Sequence, residues 1–115
     1  VQSHKGRKIL KQEILKRIRE FTEARNWQQF HSGVNLAKSL VIEASELLEL
    51  YQWSEETDKL DALQEELADV LIYALMLADC YGFDIEKIIL EKMEKNERKY
   101  PVSKAYGKSA KYDEL

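Results

Sequence analysis

Glu43 and Glu46 stand three residues apart, and so do Glu66 and Asp69. On a helix, residues at that spacing share a face. The face of Glu43 and Glu46 also holds Leu36, Leu40, Leu47 and Leu50, while Lys38, Ser45 and Glu49 point away. Glu66 and Asp69 border a second apolar stripe, Leu63 to Val70, with Tyr73 one turn further on. Ionised carboxylates next to a core repel one another and cost on the order of several kcal/mol each if left unpartnered. A cation removes both penalties. Oxygen-only ligands suit a hard divalent ion, and Mg²⁺ is commonly held by a few carboxylates together with water and substrate phosphates. Facing helices of a bundle are a usual place for such a site. The same spacing also occurs on solvated helix faces, and Glu46/Glu49, Glu91/Glu94 and Glu94/Glu97 repeat it here. Two pairs on consecutive helices, both beside apolar stripes, make the metal reading competitive.

Other catalytic arrangements are hard to build from this chain. Its only histidines are His4 and His31, so no Ser/His/Asp or Cys/His set stands out. Gly6, Gly33, Gly82 and Gly107 are isolated, so there is no glycine-rich phosphate loop. Cys80 is the sole cysteine, which rules out an internal disulfide and suits a reducing compartment. Its apolar surroundings predict a buried, inert thiol. Trp27 and Trp53 fall at predicted helix borders, where they could pack a core edge or stack on a flat ligand. Tyr73 alone would be read as core, but its register with Glu66 and Asp69 places it beside the acids. Lys92 and Asn96 sit one turn apart, on a face that could equally be solvated.

The elements that must carry these residues are helical. One proline and four glycines in 115 residues leave few breaks. A composition of 44% hydrophobic and 34% charged residues fits one globular domain, residues 1–115, rather than a disordered chain. Leu10, Ile14, Ile18 and Phe21 give a stripe at helical spacing and predict a first helix over Ile9–Ala24. A loop follows at Arg25–Gly33, then a second helix over Asn35–Gln52. The third begins near Thr57 or Asp58, either of which could cap it, and runs to Tyr81 with Gly82 as its stop. Asp84 caps a fourth helix that ends at Lys99 or Tyr100, before Pro101. Residues 102–115, with Lys104, Lys108 and Lys111, read as a loosely ordered tail. The longest apolar run, Val70–Ala78, is far short of the roughly 20 residues of a membrane helix. The expectation is a soluble, cytoplasmic protein. A net charge of −3, without a basic recognition helix, argues against nucleic acid and membrane partners.

The third helix carries one further message. Leu63, Leu67, Val70, Ala74 and Leu77 form its core stripe, yet Ala68, Ile72, Leu75 and Met76 are apolar on the other sides. A helix apolar nearly all round is buried all round. A chain this short can hardly surround it, so the reading is a homo-oligomer with this helix at the subunit interface.

Glu43-Ala-Ser-Glu46 followed by Glu66-Leu-Ala-Asp69 resembles the ExxE…ExxD signature of the MazG-like all-α nucleotide pyrophosphohydrolases, and the match is nearer to their dCTP pyrophosphatase branch. Supporting segments are Arg-Asn-Trp27-Gln-Gln-Phe-His31, Asn35-Leu, Glu-Leu-Tyr-Gln-Trp53 and Glu-Glu-Leu-Ala-Asp-Val-Leu-Ile-Tyr73. Lys92-Met-Glu-Lys-Asn96-Glu-Arg-Lys-Tyr100-Pro101 and a Lys-Tyr-Asp-Glu-Leu end complete the set. The resemblance covers the chain from about Phe21 onward. ExxE alone is weak, whereas these blocks in this order are specific.

The resemblance implies a four-helix bundle whose sites are completed by association, usually as a tetramer built as a dimer of dimers. It implies Mg²⁺, or Mn²⁺ in its place, on Glu43, Glu46, Glu66 and Asp69. It implies base recognition by Trp27, His31, Trp53 and Tyr73, and places Lys92 and Asn96 near the phosphates and sugar. One departure is Ile18, where that branch has a histidine near the nucleotide. The segment joining the second and third helices is also shorter than in animal members. The implied reaction hydrolyses a nucleoside triphosphate at the α–β phosphoanhydride to the monophosphate and pyrophosphate. That chemistry needs positioning and charge neutralisation more than covalent help. Any of the four acids could serve as general base, with the Glu43/Glu46 pair preferred. The implied role is clearing surplus or non-standard deoxynucleotides, with dCTP the favoured substrate. The alternatives are dATP, dUTP or a mixed set, or a non-catalytic Mg²⁺-binding oligomer.

Overall fold

The computed structural model describes residues 2–109, and for residues 2–11 the backbone alone. The described residues are helical, with no strand among them: α1 is Gln2–Ala24, α2 Gly33–Glu49, α3 Leu60–Cys80, α4 Ile85–Lys99 and α5 Val102–Ala105. They form two compact units, one ending at Gly82 and one starting at Phe83.

Local chemistry sets the helix ends. α1 stops at Asn26, whose φ of 53° lies in the left-handed region that Asn tolerates better than most residues. Its N–H donates to the Glu23 carbonyl and that of Trp27 to the Thr22 carbonyl, both at 3.0 Å. This double bond pattern satisfies carbonyls that a helix end leaves open. A single 3₁₀ turn, Gln28–Phe30, occupies the predicted loop. Ser32 then caps α2, its hydroxyl accepting from the Asn35 N–H at 3.2 Å.

α3 starts later than expected. Thr57 does not cap it. Its hydroxyl accepts from the Lys59 N–H at 3.2 Å, and the Ser54 hydroxyl accepts from the Glu56 N–H at 3.3 Å. Such short-range side-chain bonds compete with helix formation and hold this polar stretch in turns. Gly82, with φ of 68°, ends α3 as anticipated, and Asp84 caps α4 by accepting from the Lys87 N–H at 3.1 Å. The predicted tail is more ordered than expected at its start, where Val102–Ala105 makes one helical turn after Pro101. Residues 110–115, with Lys111, lie outside the described residues, as does the side chain of His4.

In the first unit, α2 and α3 run antiparallel. The Cys80 thiol reaches the His31 carbonyl, at 3.7 Å, just before α2 begins. At Gly33 an added Cβ would strike the Tyr81 ring, so glycine permits this close approach. Farther along, Glu43 and Glu46 of α2 meet Glu66 of α3. α1 is tied to α3 by Arg19 and Asp79, which pair through two hydrogen bonds, Nε to Oδ2 at 2.9 Å and Nη2 to Oδ1. The buried core is thin. Among the described residues only Leu36 and Ala78 are buried apolar side chains, and Thr22 is the buried polar one. Thr22 is satisfied by donating to the Arg19 carbonyl at 3.0 Å.

Three expectations fail here. Cys80 is exposed rather than buried, because it ends α3 at the rim of a cavity beside the start of α2, its thiol donating to the His31 carbonyl. Met76 does not belong to the outward apolar side of α3. It is half-buried and lines a cavity shared with Ile18 of α1 and Leu36 of α2. Leu67, expected in the core stripe, is exposed instead, and it stands out with Leu60, Leu71 and Ile72 on α3 and Val34, Val41, Ile42 and Leu48 on α2.

In the second unit, α4 and α5 meet at Pro101. Lys95, Arg98, Lys99 and Lys104 surround a depression there of about 410 Å³. Arg98 and Lys99 fall in the last turn of α4, where positive charge complements the helix dipole.

Candidate metal and nucleotide site

The helix spacing delivers the acids as a cluster. One carboxylate oxygen from each of Glu43, Glu46 and Glu66 lies within 4.8 Å of the others. Glu43 and Glu66 are half-buried. In each, the Oε2 atom is buried with no hydrogen-bond partner among the described residues. Buried polar atoms are rarely left so, and two such oxygens within a cluster of acids suit the ligand set of a hard divalent cation. Burial, first, and then the Glu46 hydrogen bond and charge push the Glu43 carboxyl above its ordinary value, with Asp69 and Glu66 adding to the effect. Glu66 is raised too, by burial, then by the charge of Glu46 and a hydrogen bond with it, and by Asp69. Asp69 is thus close enough to act on two of the acids, though it lies outside the compact trio.

The cavity beside Met76 lies on the same side of the α2–α3 pair. Leu36 precedes Glu43 by seven residues, and Met76 follows Asp69 by seven. Seven residues is two helical turns, about 10 Å along the axis. The cavity, about 370 Å³, is walled by Ile18, Leu36 and Met76 and edged by Arg19, Asp79 and Gln28. His31 also lines it. Arg19 holds the Asp79 carboxyl below its usual range, through the hydrogen bond first and then charge, against an opposing effect of burial.

The remaining predicted residues scatter. Tyr73 is half-buried, one turn before Met76. Trp27 packs edge-on against Phe21, ring centroids 5.6 Å apart, while the Arg25 guanidinium sits 3.8 Å from the centroid of that same Phe21 ring. Trp27 thus packs against α1 and keeps 44% of its surface open. Trp53 is 91% exposed in the segment between α2 and α3. Lys92 and Asn96 lie on α4, in the second unit, Lys92 exposed and Asn96 half-buried. The sequence reading missed the Arg19–Asp79 pair altogether. Its partners are 60 residues apart, and no short-range pattern links them.

The MazG-like family model matches residues 38–115, which include all four acids. The chain belongs to the MazG-like family. Within it, dCTP pyrophosphatase 1 of Homo sapiens is 43% identical over 105 aligned residues, and that of Mus musculus 41%. Both alignments cover 84% of this chain and 62% of the relative, so this MazG-like chain spans less than two thirds of the curated relatives it matches. A solved structure, of a pyrophosphatase from Archaeoglobus fulgidus, superposes with a TM-score of 0.74 at 43% identity, covering 78% of this chain and 91% of that one. The all-α MazG-like fold is thereby established for this chain.

Proposed function

We propose that this MazG-like chain is a divalent-metal-dependent nucleoside triphosphate pyrophosphohydrolase, acting on dCTP and releasing dCMP and pyrophosphate. The observation that carries the reading is the pair of buried, unpartnered carboxylate oxygens, on Glu43 and Glu66, within the three-acid cluster. The identity of about two fifths to dCTP pyrophosphatases supports the substrate. Glu43, Glu46 and Glu66, with Asp69 alongside, would hold Mg²⁺, and Mn²⁺ has the same preference for oxygen ligands. When bound, the ion supplies charge neutralisation on the phosphates and lowers the pKa of a coordinated water. Through the cation they would hold, the acids would position the phosphates beside α2 and α3, and one of Glu43 and Glu46 would accept the proton of the attacking water. Tyr73, two turns on from Glu66, stands as a wall against the sugar. Lys92 and Asn96 are assigned to the phosphates and sugar by resemblance.

The reading includes an oligomer, a tetramer of paired dimers, because Leu67, Leu71 and Ile72 leave an apolar face on α3 that one chain does not cover. The test is pyrophosphate release from dCTP, dATP, dUTP, dTTP and CTP, with Mg²⁺ and with EDTA. Mg²⁺-dependent turnover that favours dCTP over CTP is expected. No turnover on any of the five overturns the assignment.

A further inference from the structure

The cavity at the far end of the α2–α3 groove from the acids has the mixed character of a base site. Its volume falls in the range of small-molecule pockets, roughly 300–1,000 Å³. Ile18, Leu36 and Met76 supply apolar walls. Its walls Leu36 and Met76 stand two helical turns from Glu43 and Asp69, and Asp79 stands ten residues beyond Asp69, about 15 Å along the axis, a span for a nucleotide extended from phosphate to base. Within it stands a fixed ion pair. Arg19 spends its Nε and one Nη2 hydrogen on Asp79, and each Asp79 oxygen accepts one bond. A guanidinium has five N–H donors and a carboxylate about four acceptor sites, so both partners keep capacity for a ligand. Each holds the other in place, and a polar group positioned in advance discriminates best.

We infer that Arg19 and Asp79 together read the hydrogen-bonding edge of the base and select cytosine over uracil. The inference rests on the nucleotide hydrolase reading above.

The pair sets an acceptor, Asp79, directly beside a donor, Arg19. Cytosine presents one donor, its exocyclic amino group, followed by two acceptors, the ring nitrogen and the carbonyl. Asp79 takes the amino group and Arg19 serves the two acceptors. Uracil and thymine present acceptor, donor, acceptor. If Asp79 meets their central N–H, it also faces a carbonyl oxygen, and that repulsion is costly in a partly enclosed site. The phosphate end, anchored at the acids, prevents the base from turning over to escape it.

A simple tie between α1 and α3 would use the same two residues, so the test must separate reading from bracing. Affinities for dCMP and dUMP, measured by calorimetry with Mg²⁺ present, need no turnover. The protein variants are wild type, Asp79→Asn, and the double swap Arg19→Asp/Asp79→Arg. Asparagine can offer either a donor or an acceptor, so Asp79→Asn should reduce the dCMP/dUMP affinity ratio at least about tenfold. The swap keeps an ion pair between the helices but reverses the order of donor and acceptor, and should lower the ratio further. Melting temperatures of all three report bracing alone. If wild type binds dCMP and dUMP equally, or if both variants keep the wild-type ratio while affinity for both ligands falls together, the inference is overturned. Preferential dCMP binding without hydrolysis of any triphosphate would overturn the hydrolase reading and leave this inference standing.

Discussion

Glu43 and Glu66 each keep a buried oxygen that nothing in the described chain satisfies. Replacing an acid of this cluster should remove repulsion from the fold and a ligand from the reaction. Glu46→Gln and Asp69→Asn are therefore expected to retain the melting temperature and to lose turnover by far more than tenfold, since about 1.4 kcal/mol at the barrier already accounts for that factor. Activity above about a tenth of wild type in either variant would remove the acids from the reaction. The raised carboxyls of Glu43 and Glu66 also set a pH dependence. Their folded values lie above the unfolded ones, so the folded chain binds protons more tightly. The resulting stabilisation is complete below the ordinary carboxylate range and is lost as pH rises through the folded values. In EDTA the melting temperature should climb on going from neutral to mildly acidic pH. Mg²⁺ at neutral pH should recover most of that gain, because the ion replaces the protons. Asp79 acts in the opposite sense and in another window, its contribution fading only as pH falls below the usual carboxylate range. Melting curves at several pH values, with and without metal, check both.

At the scale of elements, the site depends on where α1, α2 and α4 start and stop. Asn26 ends α1 in a left-handed conformation, which aims the following 3₁₀ turn and His31 back toward α3. Asn26→Val should destabilise the chain by about 1–2 kcal/mol, since a branched side chain clashes in that region, whereas Asn26→Gly should be neutral or slightly stabilising. Loss of the Asp84 cap in Asp84→Ala should cost about 1 kcal/mol. Urea denaturation measures all three. The ends of α1 and α3 and the start of α4 were legible, since Ala24, Gly82 and Asp84 fall where the sequence puts a helix end, a stop and an N-cap. The start of α3 was not, because Thr57 and Asp58 are good caps in type. Only the competing turn at Lys59 shows that the chain is still non-helical there.

At the scale of the whole molecule, two buried apolar residues among those described are too little for an independent core. Leu71 is 55% exposed, on the outward side of α3. A charge there, in Leu71→Glu, should dissociate the assembly and lower the melting temperature in a concentration-dependent way, while the wild type stays associated at micromolar concentration. Light scattering over a dilution series measures this. A monomeric wild type under the same conditions would refute the oligomer. Met76 is less suited to that purpose, since it is half-buried and lines the cavity shared with Ile18 and Leu36.

The helical class, the acid pairs and their shared faces were determined by the sequence alone. They are consequences of short-range periodicity: residues three, four and seven apart on a helix must share a side whatever the fold around them. The family likeness rode on the same local blocks. The convergence of Glu66 with Glu43 and Glu46 was anticipated only as a matter of charge, and tertiary packing made it a distance. Arg19 and Asp79, the exposure of Cys80 and the inward turn of Met76 were decided by tertiary structure. Each depends on the relative rotation of two helices. That rotation is set by many weak contacts along their whole length, and no single segment of sequence encodes it.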